Sequence, residues 1–288
     1  MSKTILITGA STGFGRDTAE TLAQVGHNVY ASMRDPQGRN NAHATALELK
    51  GIKVIELDVT DNKSVIQAVS TVVNNEGKID VLVNNAGVAY AGVSEAFTDE
   101  QASTLFDVNV IGVHRVTRAV LPQLREQKDG LIVNIGSILG RVTFPFFGLY
   151  GASKFAVEAL TDSTRYEVSQ LGVDVSLIQP SAYPTQMYAS ATMPVDTVRV
   201  SEYGQVGQIP GEMFKQFMTM FEAKDGPNPH DVAEAILKLI EQPKGSRPAR
   251  TVVGTSFGAD AVNDAIAPVQ SGAINGLGLG DLEKLNAS

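Results

Sequence analysis

The stretch "KTILITGASTGFGRDTAETLAQV", Lys3 to Val25, decides the fold. It opens on a short β-branched apolar run. It then passes through Gly9, Gly13 and Gly15 into a segment with helical spacing from Phe14 to Val25. A strand, a glycine turn and a helix in that order bring backbone close to an anion and aim a helix N-terminus at it. That is the context a dinucleotide's pyrophosphate needs. Without it, three glycines are only a tight turn.

The same alternation continues outward. "HNVYASM", "IKVIELDV", "IDVLVNNAG", "GLIVNIGS", "VDVSLIQP" and "ARTVVG" read as strands. Between them, "HATALELK", Lys63 to Val73, a long segment from about Asp99 to Glu126, Tyr150 to Leu171 and "HDVAEAILKLIEQ" read as helices. The strands are apolar at nearly every position, as parallel strands covered on both faces must be. The expected fold is α/β: a Rossmann-type, doubly wound parallel sheet of about seven strands with helices on both faces. One such sheet uses most of the chain, so residues 1–288 are expected to form one domain. Two regions break the alternation. Met187 to Lys224, rich in Met and Phe, reads as an insertion of the functional kind. The tail, 255–288, is small-residue and Gly-rich, and is expected either to lie along the surface or to fray.

Bulk chemistry removes several function classes. The net charge of −8 speaks against a nucleic-acid or anionic-membrane surface, and any phosphate must meet a local basic spot. The chain has no cysteine, hence no disulfide, thiolate metal site or cysteine nucleophile. The four histidines, His27, His43, His114 and His230, show no metal-ligand spacing, and no metal is expected. No apolar run reaches the ~20 residues of a membrane span. The N-terminus is too short in apolar residues for a signal peptide, and the expected location is the cytoplasm.

In "GLYGASKFAVEAL", Tyr150 and Lys154 stand four residues apart on an otherwise apolar helix, which places a phenol and an ammonium on one face. On spacing alone this is also what a packed tyrosine beside a snorkelling lysine looks like. The company they keep decides. Thr8-Gly9, three residues, Gly13, one residue and Gly15 is not the common G-x-G-x-x-G spacing. With "NNAG" at Asn84 to Gly87, Asn109 in "VNVIG", Ser137 in "NIGS" and "YGASK", it resembles the short-chain dehydrogenase/reductase family over residues 3 to 253. Ser137 stands thirteen residues before Tyr150, as the family pattern expects. The longer chain, "VYASMRD" and the Met/Phe insertion resemble its hydroxysteroid and retinol dehydrogenase and carbonyl reductase branch. After the sixth strand, "PSAYPT" keeps Pro180 and Thr185 but has Ser181 where the family usually has Gly, which puts the local geometry in question.

The resemblance implies a nicotinamide dinucleotide held by Gly9, Ser11, Thr12, Gly13, Phe14 and Gly15. It places Asp58 and Val59 at the adenine, Asn85, Ala86 and Gly87 under the adenosine, and Pro180 and Thr185 near the nicotinamide. Relatives that prefer NAD carry an acid at the end of the second strand. Here Met33 and Arg34 stand there, and a guanidinium can hold a 2′-phosphate, so NADP(H) is expected over NAD(H). The alternatives are that Arg34 only pairs with Asp35, and that Asp58 only caps a helix.

By the same resemblance, Tyr150 is the general acid/base, with its phenolate favoured by the Lys154 ammonium and by an oxidised nicotinamide. Ser137 bonds the substrate oxygen, Lys154 also binds the nicotinamide ribose, and Asn109 holds a water leading toward Lys154. The expected substrate is a small molecule, a bulky hydrophobic ketone, aldehyde or alcohol. Phe144, Phe146 and Phe147 line its pocket or merely pack their loop, and 187–224 serves as a lid. The family usually assembles through the Tyr150 helix, so a homodimer or homotetramer is expected. A non-catalytic dinucleotide sensor or scaffold on the same fold is the main rival, and the intact Ser137, Tyr150 and Lys154 speak against it. An extended-family epimerase or dehydratase would need another glycine spacing and a larger C-terminal domain. An enoyl-type reductase would need a longer Tyr-to-Lys gap.

Overall fold

In the computed structural model, which describes residues 2–223 and 225–286, seven strands form one sheet. They are β1 (Thr4–Ile7), β2 (Asn28–Met33), β3 (Lys53–Glu56), β4 (Val81–Asn84), β5 (Gly130–Ile135), β6 (Val173–Pro180) and β7 (Arg250–Val253). Their spatial order is β3-β2-β1-β4-β5-β6-β7, and every neighbouring pair is parallel. From β1 the chain winds outward to β3. It then returns to β4 on the other side of β1 and winds the opposite way. The reversal point lies between β1 and β4, where ligands of open α/β sheets bind at the carboxyl ends of the strands.

Successive strand residues serve opposite faces. Ile5 and Ile7 pack with Ala19 and Leu22 of the helix Gly13–Gln24 and with Val232 and Ile236 of His230–Glu241. Leu6, between them, packs with Val65 and Val72 of Asn62–Glu76 and with Val116 and Val120 of Gly112–Gln127. Burial on both faces explains why these strands are apolar throughout.

The long helix expected from Asp99 to Glu126 is instead three segments. A π turn, Asp107–Ile111, separates the α-helices Asp99–Phe106 and Gly112–Gln127. Its wider turn carries Asn109 inward, where the residue is fully buried. The insertion folds into the short helices Gln186–Ala189 and Thr197–Glu202 and the longer Gln205–Glu222; Lys224, its last residue, lies outside the described residues. The tail forms an 18-residue helix, Ala259–Gly276, and a 3-10 turn, Gly280–Glu283. It is tied down by Gln170, whose side chain donates to the carbonyls of Asp281 and Lys284, and by Asn263, which donates to Gln179 of β6 at 2.7 Å. Met1, and Ala287 and Ser288 at the tail's end, lie outside the described residues.

Candidate active site

The turn after β1 and the loop after β4 are riveted together. Thr8 Oγ1 accepts from the main-chain N–H of Asn85 and of Ala86, both at 3.0 Å. The Asn85 side chain donates back to the carbonyls of Thr8 and Gly9 at 2.8 and 3.0 Å. Gly9 has φ +66°, and a Cβ on it would lie 2.8 Å from Ala86 Cα, so only glycine fits. Gly15 has its missing Cβ against the Asn85 amide and the Gly9 carbonyl. The helix that follows has no acid in its first turn, and Thr12 at its N-cap makes no capping hydrogen bond. Its first N–H groups therefore keep their capacity for an anion. A pyrophosphate fits this cradle on its own geometry.

A cavity of about 420 Å³ runs across the cradle. Ser11, Thr12, Gly13 and Phe14 line it beside Gly9, and Asn85, Ala86 and Gly87 face them. Arg34, Asp58 and Val59 close one end and Thr185 the other. Gly15 is behind the wall, and Asn109 lines neither this cavity nor the one described below.

Arg34 is exposed and Met33 beside it is buried. Asp35 turns its carboxylate to the main-chain N–H of Arg39 at 2.9 Å, and among the described residues no ion pair joins it to Arg34. The turn that does this, with Asp35 at φ +45° and Asn40 donating to the Arg34 carbonyl, brings a second guanidinium, Arg39, to the same end of the cavity. Sequence reading missed Arg39; the turn residues in "RDPQGRN" were its only signal. Asp58 does not cap the helix after β3, since Asp61 does, accepting from Lys63 N–H. The Asp58 carboxylate accepts from Thr60 N–H and Oγ1 at 2.9 and 2.7 Å. Burial raises its pKa, but these bonds and the charges of Arg34 and Arg39 outweigh burial and hold it below the usual carboxylate range.

Phe14, Asn85, Thr185 and Met187 also line a second cavity of about 360 Å³, so the two spaces adjoin. Ser137, Tyr150, Lys154 and Pro180 stand in its wall. Tyr150 is 9% exposed and Lys154 5%. Lys154 Nζ donates to the Ile135 carbonyl at 2.9 Å and lies 5.7 Å from the centre of the Tyr150 ring. Burial pushes the Tyr150 phenol up to about 12, and a hydrogen bond with Ser137 pulls against it. Burial also lowers Lys154 to about 8, with the Glu158 charge one turn along the helix opposing. Burial is the largest influence on both groups, and Lys154 Nζ is tied to a strand carbonyl beside the Tyr150 ring.

Protein groups make three of the four hydrogen bonds open to the Asn109 side chain. Its Oδ1 accepts from Val88 N–H at 2.9 Å, and its Nδ2 donates to the Val88 carbonyl at 3.0 Å and to Ser153 Oγ at 3.1 Å. Ser153 in turn donates to the Tyr150 carbonyl at 2.7 Å. The π turn thus clamps the β4 loop to the helix that carries Tyr150 and Lys154. Ser181 is not among the residues with positive φ, and its N–H donates to Val253 at 2.9 Å, so this turn needs no glycine there.

Much of the rest of the second cavity is apolar. Phe144, Phe146 and Phe147 all line it. From the insertion come Met187, Met193, Met213, Phe214 and Phe217, whereas Met218 and Met220 do not reach it and Phe221 stacks behind Phe217. Phe257, from the start of the tail, packs edge-on against Phe144 at 5.6 Å. Phe146 and Phe257 have φ of +67° and +47°. Two bulky residues held in the left-handed region on one cavity wall are strain of the kind that gathers at binding sites.

The description "short chain dehydrogenase" matches residues 3–195. The chain belongs to the short-chain dehydrogenase/reductase family. This is a family of oxidoreductases acting on CH–OH and C=O groups. A 3-ketodihydrosphingosine reductase from Bacteroides thetaiotaomicron is 34% identical over 252 residues, covering 87% of each chain. Human 17-beta-hydroxysteroid dehydrogenase type 1 is 34% identical over 256 residues, covering 85% of this chain and 76% of that one. A crystal structure of a short-chain dehydrogenase from Streptomyces avermitilis superposes with a TM-score of 0.77 at 28% identity, covering 97% of this chain and 98% of that one. Two further structures of this fold contain cofactors. One is a family member from Burkholderia phymatum with NAD (TM-score 0.73, 26% identity, 93% and 95% covered). The other is an actinorhodin polyketide ketoreductase variant with NADPH (0.74, 27%, 90% and 97%).

Proposed function

We propose that this member is an NADP(H)-dependent carbonyl reductase/alcohol dehydrogenase for a hydrophobic ketone, aldehyde or secondary alcohol. The observation that carries the reading is a polar cluster in the wall of the second cavity. Ser137, Tyr150 and Lys154 stand there, where a largely Phe/Met chamber adjoins the glycine cradle. The cradle, Asp58, Val59, Asn85, Ala86, Gly87 and Thr185 would hold the dinucleotide, with Lys154 and Pro180 toward its nicotinamide. A bound nicotinamide supplies a hydride to a carbonyl carbon, or accepts one from an alcohol.

The chain's own residues handle the proton. At neutral pH a phenol with pKa near 12 is fully protonated, and Tyr150 donates that proton to the substrate oxygen. Ser137 hydrogen-bonds the same oxygen. A lysine with pKa near 8 is mostly charged at neutral pH, and its ammonium stabilises the phenolate that Tyr150 then becomes. Asn109 fixes the helix on which both stand.

NADP(H) preference is supported by two guanidiniums, Arg34 and Arg39, where a carboxylate would otherwise stand. The insertion is read as a substrate lid on a single dinucleotide-binding domain. The keto and hydroxy substrates in the names of the two relatives support the substrate class. Assembly as a homodimer or homotetramer through the helix Gly148–Ser169 belongs to the same reading.

The test is a screen of NADPH and NADH oxidation against aliphatic, aromatic, steroid and retinoid carbonyls, with wild type and Tyr150→Phe. Wild type is expected to turn over large apolar carbonyls. Tyr150→Phe is expected to bind cofactor normally and lose turnover by roughly 10²–10⁴-fold, the size of general acid catalysis. Cofactor binding without turnover in wild type overturns the enzyme reading, and near-normal turnover in Tyr150→Phe overturns the role of Tyr150.

A further inference from the structure

Tyr188 is a polar residue of the second cavity that the chemistry above leaves unused. It sits on the short helix Gln186–Ala189. Its ring is wedged edge-on against Phe221 at 5.2 Å and tilted against Phe217 at 5.8 Å. Those contacts need only a benzene ring. Among the described residues its hydroxyl has no hydrogen bond, although the residue lines a cavity whose wall also holds Ser137, Tyr150 and Lys154. Tyr188 is half-buried and its hydroxyl is not sealed in the protein, so it can bond a polar group that enters the cavity. Burial, and the nearness of Tyr150, raise its pKa well above the normal phenol value, so it stays a hydroxyl at any working pH.

We propose that the Tyr188 hydroxyl is the specificity contact of the cavity, bonding an oxygen or nitrogen function that the substrate carries beside its carbonyl. The inference rests on the carbonyl-reductase reading and narrows it. Ser137 and Tyr150 already serve the carbonyl oxygen, so Tyr188, which lines the same cavity from the helix Gln186–Ala189, is left for the neighbouring group. The substrate class is then a long or bulky apolar ketone with a hydroxyl, amino or second carbonyl group next to the reacting carbon. The apolar remainder lies along Phe147, Met213 and Phe217.

The experiment compares dodecan-3-one with its 2-hydroxy derivative, in wild type and Tyr188→Phe, by kcat/KM with NADPH and by ligand-induced thermal shift. Wild type is expected to favour the hydroxyketone by about 3- to 10-fold, the worth of one neutral hydrogen bond. Tyr188→Phe should erase that preference by weakening the hydroxyketone alone, leaving the plain ketone within about twofold. A preference that survives in Tyr188→Phe, an equal fall for both ketones, or no preference in wild type overturns the role of Tyr188. Binding that discriminates through Tyr188 without turnover of either ketone supports the contact and overturns the enzyme reading. Neither binding nor turnover overturns both.

Discussion

Burial alone moves Tyr150 and Lys154 in opposite directions, because it penalises whichever form is charged. For Lys154 the consequence is measurable as stability. Its folded pKa of about 8 lies below the ordinary 10.5. Below pH 8 both the folded and unfolded chains hold the proton, and the fold carries a buried ammonium at full cost. Between about 8 and 10.5 the folded chain sheds the proton first, so stability rises with pH through that window and the gain is lost again as pH falls through 8. Relative to Lys154→Met, wild type should therefore gain on the order of 2 kcal/mol between pH 7.5 and 9.5 in denaturant unfolding. A constant difference across that range would mean that Lys154 titrates normally.

At the other end of the cleft, Arg34 and Arg39 are exposed, so each charge-assisted bond to a phosphate belongs at the weak end of its range. Arg34→Ala should weaken NADPH by about tenfold and leave NADH nearly unchanged, with Arg39→Ala adding to it. The comparison is kcat/KM for both cofactors. A wild type that already prefers NADH would reduce both residues to surface arginines.

Among the described helices of eight or more residues, Gln205–Glu222 stands apart because none of its residues is buried. Its inner face touches the cavity through Met213, Phe214 and Phe217, and Phe217 meets Phe147 at 6.4 Å. A lid of this kind owes little to the core and much to its contents. Phe217→Ala is expected to cut kcat/KM for large ketones by roughly ten- to two-hundredfold, the value of one apolar contact of about 1–3 kcal/mol, with only a small change in melting temperature. The reverse pattern, a large fall in melting temperature with selectivity unchanged, would make Phe217 an ordinary packing residue.

The π turn Asp107–Ile111 is an element of the opposite kind. Nothing in the local run "LFDVNVIGVHRV" interrupts a helix. The extra residue is accommodated because Asn109, turned inward, gains three hydrogen bonds to Val88 and Ser153. Those partners lie 21 and 44 residues away, beyond the reach of periodicity.

For the whole molecule, the helix Gly148–Ser169 has two faces with different duties. Tyr150, Lys154 and Glu158 point inward, while Phe155 between them is 42% exposed. A large aromatic exposed on the back of the catalytic helix supports assembly through that helix. Phe155→Asp is expected to lower the mass found by light scattering while leaving the far-ultraviolet circular dichroism unchanged. An unchanged mass would place any interface elsewhere. The inward face is held by a buried ionic cluster. Glu158 meets Arg250 at 2.8 Å and Arg141 at 3.0 Å, and accepts from Gln179. Gln179 is the partner of Asn263, so the tail helix is joined to the catalytic helix through β6. No helix among the described residues is long and apolar enough to cross a membrane.

The sequence by itself determined the parallel doubly wound sheet, because strand hydrophobicity, glycine spacing and helical periodicity are local quantities that sum to one topology. It also placed Gly9, Gly13, Asn85, Ser137, Tyr150 and Lys154 at the ends of the elements that carry them. Tertiary structure alone decided what depends on distant partners. A turn at Asp35 brought Arg39 beside Arg34, and buried bonds opened the π turn at Asn109. Burial raised the Tyr150 phenol and lowered the Lys154 ammonium. Tyr188 was left lining a largely apolar chamber that strand and helix signals do not describe. Each of these is a matter of which groups meet and how much water lies between them, and neither is written in a residue's neighbours along the chain.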